Sequence, residues 1–312
     1  MNSLDEMAAK RRQNSSPGHV VTIKVPASSA NIGPGFDSLG VGLSLYQIVQ
    51  AERGACWEIT PLSPALQSFP TDERNYISQI AIKTAKMYKQ EMPPLKMSVK
   101  SDIPLARGLG SSAAAIVAGI ELADAFCVLE LSPKEKLKIA AELEGHPDNA
   151  GACLYGGFVV GSQLDGEVRL SVLHSIDFDP VLVVPHQELL TEAARDVLPD
   201  VMDYKRAVQA SALSNQLLAA LMTRQWTLAG EMMESDLFHQ PYRKQLIPFF
   251  DEVQLKALES GAFGAALSGA GPSILCLAEP GKGEKVAEGL KQRVTGYEIH
   301  SLRIDRQGCR RE

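Results

Sequence analysis

The sequence predicts a mixed helix-and-strand protein folded as two domains, and three observations carry that expectation. At 312 residues the chain is longer than one hydrophobic core ordinarily organises and suits two. In the first half, Leu95, Met97 and Val99 alternate with more polar neighbours as on a half-buried strand, and a loop rich in glycine and serine follows. That loop opens onto SSAAAIVAGIELADAF, apolar all round, which reads as a buried helix. In the second half, residues 262–267 and 274–277 read as two strands joined by a tight glycine turn.

Composition narrows the function. A hydrophobic content of 45% with 22% charged residues is ordinary for a soluble globular chain. The net charge of −6 argues against a nucleic-acid partner, because backbone phosphates require a basic surface. No apolar run approaches the ~20 residues needed to cross a bilayer, and no apolar signal segment opens the chain, so no membrane partner is expected. Cys56, Cys127, Cys153, Cys276 and Cys309 are scattered and include no C-x-x-C pair. Such a set fits reduced thiols in a cytoplasmic protein better than a disulfide framework or a zinc site.

Along the chain, residues 1–18 carry Lys10, Arg11 and Arg12 and then a turn-rich NSSPG, the pattern of a disordered tail. VVTIKVPA, from His19 or Val20, alternates like a strand. Two prolines and three glycines between Pro26 and Gly40 preclude a helix or central strand over most of that stretch. Residues 46–60 read as a strand and 75–89 as an amphipathic helix, with no chemistry evident in either. Ser132-Pro133-Lys134-Glu135 has the form of a capping box with proline at the first helical position, and Gly145 marks the end of that helix. A turn is expected near 162–166, a strand at DPVLVVP, a short helix capped by Thr191, and helical stretches from 204 to 234. A Lys/Glu-rich helix and the strand EIHSLRID close the chain.

The loop Pro104-Leu105-Ala106-Arg107-Gly108-Leu109-Gly110-Ser111-Ser112-Ala113-Ala114 is the stretch with the clearest chemistry. A helix start presents unpaired backbone N–H groups and the positive end of the helix dipole. Gly108 and Gly110 remove the side chains that would hold an oxyanion away, and Ser111 and Ser112 add hydroxyls suited to phosphate or magnesium. It is no Walker A motif, since no Gly-Lys-Ser/Thr follows. Gly108, Gly110 and Ala113 satisfy the loose dinucleotide pattern, but Glu130, at the required spacing, has no strand of its own. The full string P-x-x-x-G-L-G-S-S-A-A is more specific and resembles the ATP-binding motif of the GHMP kinases.

Four further stretches resemble the homoserine kinase branch of that superfamily. They are PASSANIGPGFDSLG from Pro26, the block Glu142-Leu143-Glu144-Gly145-His146-Pro147-Asp148-Asn149 with its following Gly156-Gly157-Phe158, TEAARDVLP, and HQPYRKQLIP, while Ser268-Gly269-Ala270-Gly271-Pro272-Ser273 resembles the third motif of the whole superfamily. The resemblance implies that Asn31, Asp37, His146, Asp148, Arg195, Arg243 and Gly269 contact the substrate. It also implies that Ser112 and a glutamate hold Mg²⁺, and motif order favours Glu142 ahead of Glu144. A carboxylate at Asp37 suits an ammonium group, and two guanidinium groups suit a carboxylate with paired hydrogen bonds.

The fold so implied is α+β in two parts: a tail at 1–18, an N-terminal ATP-binding domain at 19–166 like the second domain of ribosomal protein S5, and a ferredoxin-like C-terminal domain at 167–312. The implied reaction is phosphoryl transfer from ATP to the side-chain hydroxyl of L-homoserine on the way to threonine, in a cytoplasmic enzyme that the family would make a homodimer. His146, Asp148 and Asn149 are the candidate catalytic residues. Direct attack by the hydroxyl is favoured, and His146 or Asp148 as general base is the lesser alternative. A mevalonate-type kinase and a non-catalytic sensor on the same scaffold are the competing readings.

Overall fold

The computed structural model describes residues 19–312, so the expected tail at 1–18 lies outside the described residues. Strand β1 (Val21–Ala30) pairs antiparallel with β2 (Leu39–Arg53), and the register shifts between Pro26 and Ala27. The shift bends β2, which pairs with β5 (Phe158–Leu164) through its first residues and with β4 (Leu95–Ser101) through its last. The stretch expected as one strand at 46–60 is two, because the chain leaves β2 at Gly54 and returns as β3 (Glu58–Pro61), parallel to β4. With β6 (Glu167–Leu173) on β5 and β11 (Arg310–Arg311) on β1, the sheet has seven strands.

Helices α1 (Tyr76–Met87), α2 (Ser111–Cys127), α3 (Pro133–Glu144) and α4 (Pro147–Tyr155) belong to this unit. Fourteen of the 17 residues of α2 are buried, as its uniform apolarity requires. The capping box of α3 forms as expected: the Ser132 hydroxyl accepts from the Glu135 N–H, and the Glu135 carboxylate accepts from the Ser132 N–H. The helix ends on Gly145 at φ +92°. Helix α4 was not legible in PDNAGACLY, whose residues are mostly weak helix formers. Burial of Ala150, Ala152 and Cys153 holds it in place.

The second unit is a four-stranded antiparallel sheet in the order β10 (Tyr297–Ser301), β7 (Asp179–Pro185), β9 (Ile274–Ala278), β8 (Gly264–Leu267). That strand order, with helices between β7 and β8 and helix α10 (Gly283–Arg293) between β9 and β10, is the ferredoxin-like βαββαβ arrangement. The first crossover is expanded into α5 (Thr191–Asp196), α6 (Tyr204–Met222), α7 (Trp226–Glu234), α8 (Gln240–Arg243) and α9 (Phe250–Glu259). Strand β7 shows why the core is shared. Leu182 and Val184 join the core that runs on into the first unit, while Val181 and Val183 pack with Phe250, Val253 and Leu290 on the other face.

Two expected boundaries shift. A cut at 166/167 would divide the β5–β6 hairpin; the change of sheet falls between Leu173 and Asp179. Leu190, not Thr191, is the N-cap of α5, and the helical stretches expected over 204–234 are α6 and α7, which part at 223–225. No helix among the described residues is long and apolar enough to cross a membrane.

Candidate active site

The cleft lies where the start of α2 meets the β8–β9 turn. Gly108 and Gly110 stand at φ +70° and +67°, a region costly to residues with a side chain. A Cβ on Gly108 would lie 2.0 Å from the Ser268 carbonyl oxygen, and one on Gly110 would lie 2.0 Å from Ser28 Oγ. The loop is therefore gripped on both sides. Ser28 N–H donates to the Leu109 carbonyl at 3.2 Å, and Ser268 Oγ donates to the Gly108 carbonyl at 2.7 Å. No side chain caps α2, so its first N–H groups face the cleft beside Ser111 and Ser112. This bare cradle, too tight for a Cβ, fits a phosphate chain.

Arg107, expected in the nucleotide loop, lines the cleft, and its guanidinium is committed to backbone carbonyls. It donates to the carbonyls of Pro185, Leu105 and His186 at 2.7–2.9 Å and ties the loop to the end of β7.

The two glutamates differ in their placement. Glu142 is exposed, whereas Glu144, at the end of α3, lines the cleft and accepts a hydrogen bond from Ser112 Oγ at 3.0 Å. Burial raises the Glu144 carboxyl above the usual carboxylate range, with the neighbouring His146 opposing. A divalent cation fits between Ser112 and Glu144, an oxygen donor set that matches Mg²⁺.

The expected substrate residues converge. Asn31, held at φ +73°, donates from Nδ2 to the Gly269 carbonyl at 3.0 Å and accepts from the Asp37 N–H at 3.0 Å. Asp37 pairs with Arg195 of α5 at 2.9 Å. Arg243, only 2% exposed, donates from Nε to the Ala194 carbonyl and from Nη1 to the Gly269 carbonyl at 3.0 and 3.1 Å. Burial and the nearby Arg195 push its guanidinium down to about 10. The Phe36 ring lies 5.2 Å from the Arg243 guanidinium and 5.9 Å from that of Arg195.

Behind Arg243 stands His239, fully buried. Its Nε2 meets the Gly33 carbonyl at 2.9 Å, and its Nδ1 faces Arg243 at 3.4 Å. Burial lowers the His239 pKa, so the ring is neutral: Nε2–H donates and Nδ1 accepts. It is a positioning residue that sequence reasoning passed over inside the HQPYR string.

On the opposite wall, His146 Nδ1 and Asp148 Oδ1 are in close contact. Burial works to lower the His146 pKa, but Asp148, helped by Asp37 and Glu144, outweighs it and leaves the imidazole above its ordinary value. Donor atoms of Asp37, His146 and Asp148 lie within 4.8 Å of one another. Asn149 Oδ1 accepts from Ser28 Oγ at 2.8 Å, which joins this wall to the floor of the phosphate cradle.

A second cavity adjoins the first across Ala106, Ser111 and Ser112. Its walls are Ile59, Pro61, Leu66, Phe69, Tyr76, Val99 and Leu105, with Gln47 and Asn75. Residues 46–89, in which no chemistry was evident, therefore supply an apolar slot beside the phosphate cradle. The available signal was the apolar content of a turn-rich stretch, where Leu62 and Phe69 stay exposed at 58% and 45%.

Known proteins resemble this chain over most of its length. The family models for the GHMP kinase N-terminal and C-terminal domains match residues 75–157 and 217–295. Homoserine kinases of Bacillus velezensis and Bacillus licheniformis are 49% and 47% identical over 287 residues. These matches cover 92% of this chain and 93% and 94% of those proteins. The chain belongs to the homoserine kinase family. A crystal structure of homoserine kinase from Cytophaga hutchinsonii, 29% identical, superposes with a TM-score of 0.82 over 96% of this chain and 99% of that one. Membership in the GHMP kinase superfamily implies the use of ATP.

Proposed function

We propose that this protein transfers the γ-phosphoryl group of ATP to the side-chain hydroxyl of L-homoserine, giving O-phospho-L-homoserine for threonine synthesis in the cytoplasm. One observation carries the reading. A phosphate cradle too tight for any side chain at Gly108 or Gly110 faces Asn31, Asp37, Arg195 and Arg243, the complement of a small zwitterion, across one cleft. A mevalonate-type acceptor has no ammonium group for Asp37 to hold.

In this reading the α2 N–H groups bind the phosphates and the apolar slot takes the base. Asp37 receives the substrate ammonium, and Arg195 and Arg243 receive its carboxylate, so the Arg195–Asp37 pair opens to admit the amino acid. Ser112 and Glu144 would hold Mg²⁺, which would supply neutralising charge to the phosphates. Asn149 has an amide and cannot take a proton; His146, paired through Nδ1 with Asp148, is the lesser alternative, a base acting at Nε2. Positioning and charge stabilisation therefore carry most of the acceleration, and direct attack by the hydroxyl needs no strong base. The homodimer stays part of this proposal on family resemblance alone.

A coupled ADP-release assay with homoserine, mevalonate, galactose and no acceptor tests it. ADP release should depend on homoserine and on Mg²⁺, with phosphorus NMR showing a phosphomonoester. Equal release without acceptor, or a preference for mevalonate, would refute the proposal.

A further inference from the structure

Gln47 sits on β2 opposite Val25 and Ser101, on a strand whose buried neighbour Val49 is apolar. It is 5% exposed, and its Nε2 is buried with no hydrogen-bond partner among the described residues. Folded proteins rarely leave such a donor unsatisfied, and a leucine would fill this place without that cost. Gln47 lines the apolar slot beside the phosphate cradle. The other walls of the slot are largely hydrocarbon, so a bound molecule can satisfy this group where the fold does not.

We propose that Gln47 selects adenine by reading the edge that carries the 6-amino group and N7. The amide Nε2–H donates to N7, and Oε1 accepts from the amino group, the pairing that carboxamides make with adenine elsewhere. Guanine and hypoxanthine present two acceptors along that edge, which leaves the amide oxygen facing an oxygen. The base occupies the slot that Ile59 and Leu66 help to line, while its phosphates reach Ser111 and Ser112, which line both cavities. The inference rests on assigning the slot to the base of ATP.

The test compares ATP, GTP and 7-deaza-ATP as donors, with homoserine saturating, in the wild-type protein and in Gln47→Leu. The wild type should prefer ATP, and KM should rise about 10- to 100-fold for 7-deaza-ATP, which lacks the acceptor nitrogen. In Gln47→Leu the KM for ATP should rise by a similar factor and the penalties for GTP and 7-deaza-ATP should vanish. The KM for homoserine should stay within about threefold, and the ligand-free variant should melt no earlier than the wild type, because it loses an unpaired buried amide. A variant that retains the wild-type ranking of the three donors would overturn the assignment of Gln47. A wild type indifferent to 7-deaza-ATP would overturn it without any variant. Neither result would touch homoserine phosphorylation, which the wild-type rate with ATP reports separately.

Discussion

Replacing Arg195 with alanine should weaken homoserine binding far more than it weakens the fold. The Arg195–Asp37 pair is bidentate at 2.9 and 3.4 Å, with the two side chains 40% and 36% exposed. A pair this open contributes about 0–1 kcal/mol once screening and side-chain ordering are counted. Bound homoserine changes that arithmetic, because its carboxylate takes the guanidinium and its ammonium takes Asp37. Hydrogen bonds to charged groups are worth about 1.5–3 kcal/mol, so the KM for homoserine should rise about 10- to 150-fold while the KM for ATP holds. Arg243→Ala should behave differently. Arg243 is only 2% exposed, and its loss strips the donor from the Ala194 carbonyl at a cost of about 1–3 kcal/mol, while the Gly269 carbonyl keeps Asn31 Nδ2. Steady-state kinetics with each substrate varied, together with thermal unfolding of the ligand-free variants, separate the two effects. The reasoning fails if Arg195→Ala unfolds before Arg243→Ala, or if the KM for ATP rises in step with that for homoserine.

Glu144→Gln should raise the Mg²⁺ concentration needed for half-maximal activity about tenfold or more, while Glu142→Gln, on an exposed helix face, should leave the titration unchanged. Equal shifts would return the metal to the earlier assignment. Gly108→Ala places a Cβ 2.0 Å from the Ser268 carbonyl at φ +70°, and about 1–2 kcal/mol of backbone strain alone should lower stability and weaken ATP binding by calorimetry. His239 provides the pH test. Its folded pKa lies below the ordinary 6.5, so below about pH 6.5 the unfolded chain binds a proton that the folded one refuses. Stability therefore falls as pH drops towards the folded pKa, by at most about 1.4 kcal/mol per pH unit from this residue. In His239→Gln that slope should be absent; a stability difference between wild type and variant that stays constant from pH 5 to 7.5 would count against it.

Much of the phosphate cradle was legible because its chemistry is local. Glycines at 108 and 110, a helix start and two serines lie within five residues, and the backbone conformation they require is set at short range. Which of Glu142 and Glu144 faces the cleft was not legible, for an equally physical reason. Residues two apart on a helix differ by about 200° in direction, so Glu142 and Glu144 face opposite ways, and motif order cannot say which faces Ser112. Helix α4 was hidden because burial, not propensity, sustains it. The base slot was hidden because Ile59, Leu66 and Val99 look like any core residues until the space between them is seen.

From the residues alone came the two-part architecture, the anion-binding loop and the roster of polar groups suited to a zwitterion. Folding determined which of them meet: Asp37 reaches Arg195 across 158 positions, and Asn31 reaches Gly269 across 238. Such meetings depend on how two sheets pack around a shared core, a long-range balance of shape and burial that no short window of sequence contains. The unpaired amide of Gln47 belongs to the same class, since a glutamine on a strand becomes conspicuous only when its surroundings are known to be hydrocarbon.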